Sequence, residues 1–168
     1  DHEKDVVDAL QIIDPGISAV SMVGGEGSRQ MRTAIVRAAG VPRPVPLRSF
    51  GDGLNRLFGI ALSLVNAKGG LLLVDEIENG MHHTIQGHTW RMIFQLAKRL
   101  DIQVFATSHS WDAIEAFQKA AAAEPDDGVL IRLYRKEEDI IPTVFREREM
   151  AVATRDRDEG RGGETDRR

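Results

Sequence analysis

A chain of 168 residues, 42% hydrophobic and 29% charged, has the size and composition of one globular domain with a real core. Its net charge of −4 excludes overall electrostatic attraction to nucleic acid or an anionic membrane, leaving only a local basic patch open. The absence of cysteine excludes disulfides and thiolate metal sites and fits a reducing cytoplasm, while no apolar run reaches the ~20 residues of a membrane helix.

Val6, Val7, Leu10 and Ile13 recur at helical spacing until Asp14-Pro15-Gly16 stops them. Residues 17–23 alternate as a half-buried strand does. Gly24-Gly25-Glu26-Gly27-Ser28 then reads as a turn, with a returning strand over 31–38. The prolines at 42, 44 and 46 exclude a helix or a central strand and predict an extended connector. From Gly53 the pattern turns helical, with Leu54, Leu57, Phe58, Ala61, Leu62 and Val65 on one face, and Gly69-Gly70 closes it.

Leu71-Leu72-Leu73-Val74 is a short apolar run, predicted as a buried parallel strand, that ends in Asp75-Glu76. A helix is expected over about 83–100, with Ile85, Ile93, Phe94, Leu96 and Ala97 inward. A second apolar strand follows over 102–106, and a helix over about 111–122 with Ile114 and Phe117 inward. Residues 129–134 and 140–145 read as a hairpin. The middle of the chain, strand–helix–strand–helix, argues for a parallel α/β unit. Past residue 146 the composition shifts to charge and glycine, so the organisation expected is a domain over 1–146 and a charged, disordered tail over 147–168.

Three stretches carry chemistry. Two acids at the C-terminal end of a parallel strand lie where open α/β sheets hold ligands, and paired carboxylates call for a cation or a proton. In that reading Asp75 serves Mg²⁺ and Glu76 aligns and deprotonates a water; the plain alternative is two solvated acids. Ser49-Phe50-Gly51-Asp52-Gly53 before a helix offers amides, a hydroxyl and a positive helix end to a phosphate, or else is an ordinary cap made by Ser49 or Asp52. His109, in Thr107-Ser108-His109-Ser110, follows the neighbouring strand and reaches the same sheet edge, as a phosphate-facing imidazole or as a helix cap. His82, His83 and His88 lack metal-ligand spacing, and Trp90 and Trp111 read as packing residues.

In order and spacing these stretches resemble the C-terminal half of an ABC-type ATPase nucleotide-binding domain, of the soluble AAA family related to the overcoming-lysogenization-defect proteins. The likeness is dense from about Pro44 to Phe117. It implies an α/β fold, a partial P-loop NTPase with a parallel sheet flanked by helices and a C-terminal β-hairpin. It also implies ATP as substrate with Mg²⁺, Asp75 as the metal-side acid, Glu76 as catalytic base and His109 as γ-phosphate sensor. Ser49, Gly51 and Gly53 would form a variant signature touching a nucleotide held by the other protomer. Asn79, Gly80 and His82 would lie in the D-loop at the contact between protomers of a homodimer. The resemblance places no membrane in the picture and leaves a nucleic-acid or effector partner unspecified.

The family's phosphate cradle, GxxxxGK[ST], does not occur in the chain. Gly24 to Arg29 is glycine-rich but has no lysine and carries Glu26, so it reads as a hairpin turn; no glutamine loop is identifiable either. The chain opens on Asp1 instead of Met, as a fragment of a longer ATPase would. The expectation is therefore ATP hydrolysis in the parent protein and an inactive isolated chain. The competing expectation is a non-catalytic remnant or interaction module that keeps the fold and binds no nucleotide alone.

Overall fold

The computed structural model describes residues 2–24, 32–123, 127–146 and 149. The chain divides into two compact units, Asp1–Ala113 and Ile114–Arg168.

The first unit opens with α1 (His2–Gln11), followed by β1 (Ile17–Val23) and β2 (Thr33–Ala38). The two strands pair antiparallel, with Val20 opposite Val36 and Val23 opposite Thr33, the register of a hairpin. The glycine-rich stretch expected as its turn lies, from Gly25 on, outside the described residues. A short β3 (Val45–Pro46) adds to the free side of β2, so Pro46 sits on an edge strand, where its missing N–H is harmless.

Residues 47–50 form a single 3₁₀ turn, and Gly51 then starts α2 (Asp52–Asn66). Gly51 has φ 94° and ψ 167°, a region open essentially to glycine alone. Since a Cβ there would meet nothing within 4 Å, the cost of Gly51→Ala is conformational only. The expected loss is about 1–3 kcal/mol, read as a shift in the urea midpoint of the chain.

Helix α2 buries Leu54, Leu57, Ile60, Ala61, Leu64 and Val65. Phe58 and Leu62, expected inward, instead line a groove with Val6, Val20, Met22 and Val65, and Leu62 is 38% exposed. Next come β4 (Leu71–Val74), α3 (His83–Leu100) and β5 (Gln103–Ala106), the predicted strand–helix–strand unit. Helix α3 buries Trp90, Met92, Ile93, Leu96 and Leu100 together with the polar Gln86 and Thr89. Thr89 is tolerated inside because its hydroxyl donates to the Ile85 carbonyl at 3.0 Å. Trp90 is a packing residue, and its indole N–H donates to the Ala113 carbonyl at 3.0 Å. Gly53 has a packing reason of its own, since a Cβ there would run into Ile85 Cδ1 on α3. Arg99 of α3 reaches Asp5 of α1 at 2.8 Å and Asp8 at 3.5 Å, linking the two helices.

Strands β4 and β5 pair in parallel, with Leu71 opposite Gln103 and Val74 opposite Ala106. One expectation fails here: β4 is not buried. Leu71 and Leu73 are 53% and 70% exposed, and Phe105 of β5 is 51% exposed, because among the described residues this sheet has only two strands and one of its faces is uncovered. Parallel sheets are ordinarily covered on both faces.

Helix α4 (Trp111–Ala121) crosses the boundary between the units. In the second unit β6 (Leu130–Lys136) and β7 (Asp139–Phe145) form the predicted antiparallel hairpin, closing with Lys136 opposite Asp139. The expected tail over 147–168 lies, apart from Glu149, outside the described residues. The observed architecture is α/β, with helices, a parallel pair and a C-terminal antiparallel hairpin. Among the described residues no helix is long and apolar enough to cross a membrane.

Candidate functional site

The site is built where β4 and β5 end. Register alone brings the two loops together: with Val74 opposite Ala106, the next residues of both strands, Asp75 and Thr107, meet. Thr107 N–H donates to the Val74 carbonyl at 2.9 Å, and Ile77 N–H donates to the Thr107 carbonyl at 3.0 Å. The Thr107 hydroxyl accepts from the Glu76 N–H at 2.9 Å and donates to Asp75 Oδ1. One threonine thus holds both members of the acid pair.

Glu76 sits at φ 47°, in the left-handed region. A non-glycine residue held there costs about 1–3 kcal/mol and persists only where its surroundings determine it. The Thr107 bonds supply part of that determination. Arg56 of α2 supplies more, its Nη2 lying 3.4 Å from the carbonyls of both Asp75 and Glu76. The twist turns the Glu76 side chain into solvent, 49% exposed, with Oε1 3.8 Å from His109 Nδ1. Asp75, Glu76 and His109, predicted separately, therefore converge at one sheet edge.

The loop after the acid pair contributes a third carboxylate. Glu78 is only 10% exposed, and its Oε1 accepts from the backbone N–H groups of His109 at 3.1 Å and Ser110 at 3.2 Å. Burial pushes the Glu78 carboxyl up, but its own backbone N–H, the N–H of His109, the Ser108 hydroxyl and the His109 ring outweigh it, and the net shift is below the ordinary value. Glu78 thus takes the two amides that lead into α4.

Asn79 N–H donates to the Glu76 carbonyl at 2.9 Å, and its side-chain amide is 3.5 Å from Glu76 Oε2. Gly80 turns the chain at φ 76°. His82 caps α3, its Nδ1 accepting from Thr84 N–H at 3.4 Å. Ser49, Gly51 and Gly53 lie on the other loop, the one before α2. Neither Ser49 nor Asp52 caps that helix, so the capping alternative fails: the N-cap is Gly51 and no side chain bonds there. Ser49 is exposed.

Thr107, Glu78 and Arg56 are the residues that the sequence reading passed over. Thr107 becomes visible only once the register is known. Arg56 carries no motif signal, and Glu78 stands inside the motif stretch 75–82 without a role of its own, because their partners include backbone atoms 19 to 32 residues away.

The donor set bears on a metal. Among the described residues no group of three or more His, Cys, Asp or Glu is placed to hold one. Magnesium, however, is commonly held by one or two carboxylates together with waters and substrate phosphates. Asp75, exposed and with only Oδ1 engaged by Thr107, fits that partial role and no larger one.

Comparison with known proteins bears on the fold and the family. Residues 32–114 match the family model described as "AAA domain, putative AbiEii toxin, Type IV TA system". An uncharacterized protein of Methanocaldococcus jannaschii, MJECL11, is 32% identical over 94 residues, which span 56% of this chain and 82% of that protein. An ATP/GTP phosphatase of Helicobacter pylori is 28% identical over 122 residues, 67% of this chain but only 30% of the phosphatase. A solved structure from work on ATP-driven dimerization and DNA-stimulated activation of SMC ATPases superposes with a TM-score of 0.62 at 10% identity, covering 93% of this chain and 91% of that one, a likeness of fold. The chain belongs to the family it shares with the M. jannaschii protein, and its residues 32–114 are similar to an AAA domain.

Proposed function

We propose that this chain supplies the hydrolytic side of an ATPase site of the ABC class whose phosphate cradle lies outside these 168 residues. The observation that carries the reading is the convergence of Asp75, Glu76 and His109 at the ends of β4 and β5, with Glu76 held in a strained backbone state. Resemblance to an ATP/GTP phosphatase and an SMC ATPase supports it. In this reading Asp75 holds Mg²⁺, directly or through water. When bound, that ion would screen the phosphate charge and orient the β- and γ-phosphates. Glu76 aligns the attacking water and takes its proton, and His109 faces the γ-phosphate. Ser49, Gly51 and Gly53 offer hydroxyl and amides to the nucleotide of a second protomer, with Asn79, Gly80 and His82 at the contact between the two.

The uncovered Leu71, Leu73 and Phe105 suit this division, since a strand-bearing segment with the cradle would cover them. The same exposed face favours a second reading, a non-catalytic module that docks a partner there.

Turnover separates the two. In the intact protein that carries this chain with a P-loop, Mg²⁺-dependent ATP hydrolysis is expected. Asp75→Asn is expected to reduce it by about 10²-fold, the scale of a lost electrostatic contact at a transferring phosphoryl group. Phosphate release assayed across a Mg²⁺ titration is the measurement, and an undiminished Asp75→Asn enzyme would overturn the proposal. Micromolar binding of Mg-ATP by the 168-residue chain alone would overturn both the external cradle and the non-catalytic module.

A further inference from the structure

Glu78 lies outside the roles assigned above, yet it is the most enclosed carboxylate at the site. A single oxygen, Oε1, receives the N–H of His109 at 3.1 Å and of Ser110 at 3.2 Å and lies 3.5 Å from His109 Nδ1. The other oxygen, Oε2, is buried and makes no hydrogen bond of good geometry. An enclosed carboxylate is an expensive way to satisfy two amides. A local cap is already at hand, because Ser108 Oγ accepts from Ser110 N–H at 3.1 Å. Capping alone therefore does not account for Glu78.

The imidazole does account for it. His109 is held at its backbone by Glu78 and at its ring by two acids, Glu78 at 3.5 Å and Glu76 at 3.8 Å, and both face Nδ1. A ring with carboxylates on its Nδ1 side keeps a proton on Nδ1 and turns Nε2 away from them. The backbone bonds fix the Cα of a side chain that is 77% exposed, and the two carboxylates beside Nδ1 then favour one setting of its ring.

We propose that Glu78 is the positioning residue for His109, setting the orientation of the ring and its Nδ1–H tautomer so that Nε2 is the atom presented outward. Resting on the ATPase reading above, this makes Nε2 the atom of His109 that meets the phosphate. Glu78 acts through His109 and touches no substrate. It also joins the loop after β4 to the loop after β5.

The test reads the ring directly. In the 168-residue chain, ¹⁵N–¹H correlation of the histidine rings, at a pH where His109 is neutral, is expected to show the Nδ1–H form, with the His109 and Ser110 amides protected from exchange. Glu78→Ala is expected to return the ring to the Nε2–H form usual for free histidine and to expose both amides. Glu78→Gln, which keeps an acceptor in place, is expected to restore both signatures. Glu78→Met keeps the volume and serves if the alanine variant does not fold. A merely structural cap would lower stability and leave the tautomer unchanged, and that result overturns the proposal.

In the intact ATPase, Glu78→Ala is expected to reduce kcat on the order of 10–100-fold, by analogy with the loss of a carboxylate that orients a metal-binding histidine, with KM little changed and recovery in Glu78→Gln. Loss of turnover in Glu76→Gln with full turnover in Glu78→Ala would overturn this inference alone. Full turnover in Glu76→Gln would overturn the ATPase reading, while the ring signals would still support the orientation of His109.

Discussion

Replacing Glu76 by glutamine in the intact protein is expected to lower ATP turnover by about 10²-fold or more, the scale of a lost general base. The substitution is nearly isosteric, so Oε1 of glutamine still accepts hydrogen bonds where the carboxylate did. What disappears is the capacity to take a proton. The backbone of the site does not depend on the side-chain charge: the Thr107 hydroxyl bonds the Glu76 N–H, and Arg56 bonds the carbonyls of Asp75 and Glu76. The left-handed φ of 47° is equally open to glutamine. Fold and nucleotide affinity should therefore survive while kcat collapses. Single-turnover phosphate release compared with equilibrium nucleotide binding separates the two quantities. A glutamine variant with unchanged kcat would remove Glu76 from the chemistry.

Leu57→Ala is expected to destabilise the chain by about 2–5 kcal/mol, while Leu73→Ala changes it by no more than about 0.5 kcal/mol. Both are leucines in strongly apolar segments. Leu57 is fully buried on α2, and truncating it removes packing on every side and leaves a cavity. Leu73 is 70% exposed on the open face of β4, so little contact is lost. Urea midpoints of the two variants measure the difference. The contrast should shrink in the intact protein if a further segment covers β4, because Leu73 would then be buried too. Equal costs in the isolated chain would contradict the exposed β4–β5 face.

Much of the fold was legible from local signals. Proline and glycine punctuated the chain where elements end: Asp14-Pro15-Gly16 after α1, the prolines around β3, and Gly69-Gly70 between α2 and β4. Helical spacing found α2 and α3, because a helix needs only one apolar face and that face recurs every three to four residues. The inward side was less well read. Leu54, Leu57, Ala61 and Val65 are buried on the expected face of α2, but Ile60 and Leu64 are buried in place of Phe58 and Leu62, a shift to one side that depends on which neighbour the helix meets. The burial of β4 was misread for a related reason. An apolar run specifies what would be buried if other chain were present, not that it is present.

By itself the sequence determined the elements, their order, the parallel character of the β4–β5 pair and the position of the acids and His109 at strand ends. These follow from backbone sterics, period and chain direction, which are local. Only the tertiary structure decided how those ends interlock. The contacts of Thr107 with Asp75 and Glu76, of Arg56 with two carbonyls and of Glu78 with the amides of residues 109 and 110 span 19 to 32 residues. All depend on register, and all but the Thr107–Asp75 bond engage backbone atoms, which every residue type possesses. No residue pattern along the chain records such partners, so the geometry that poises Glu76 and His109 is written in the fold.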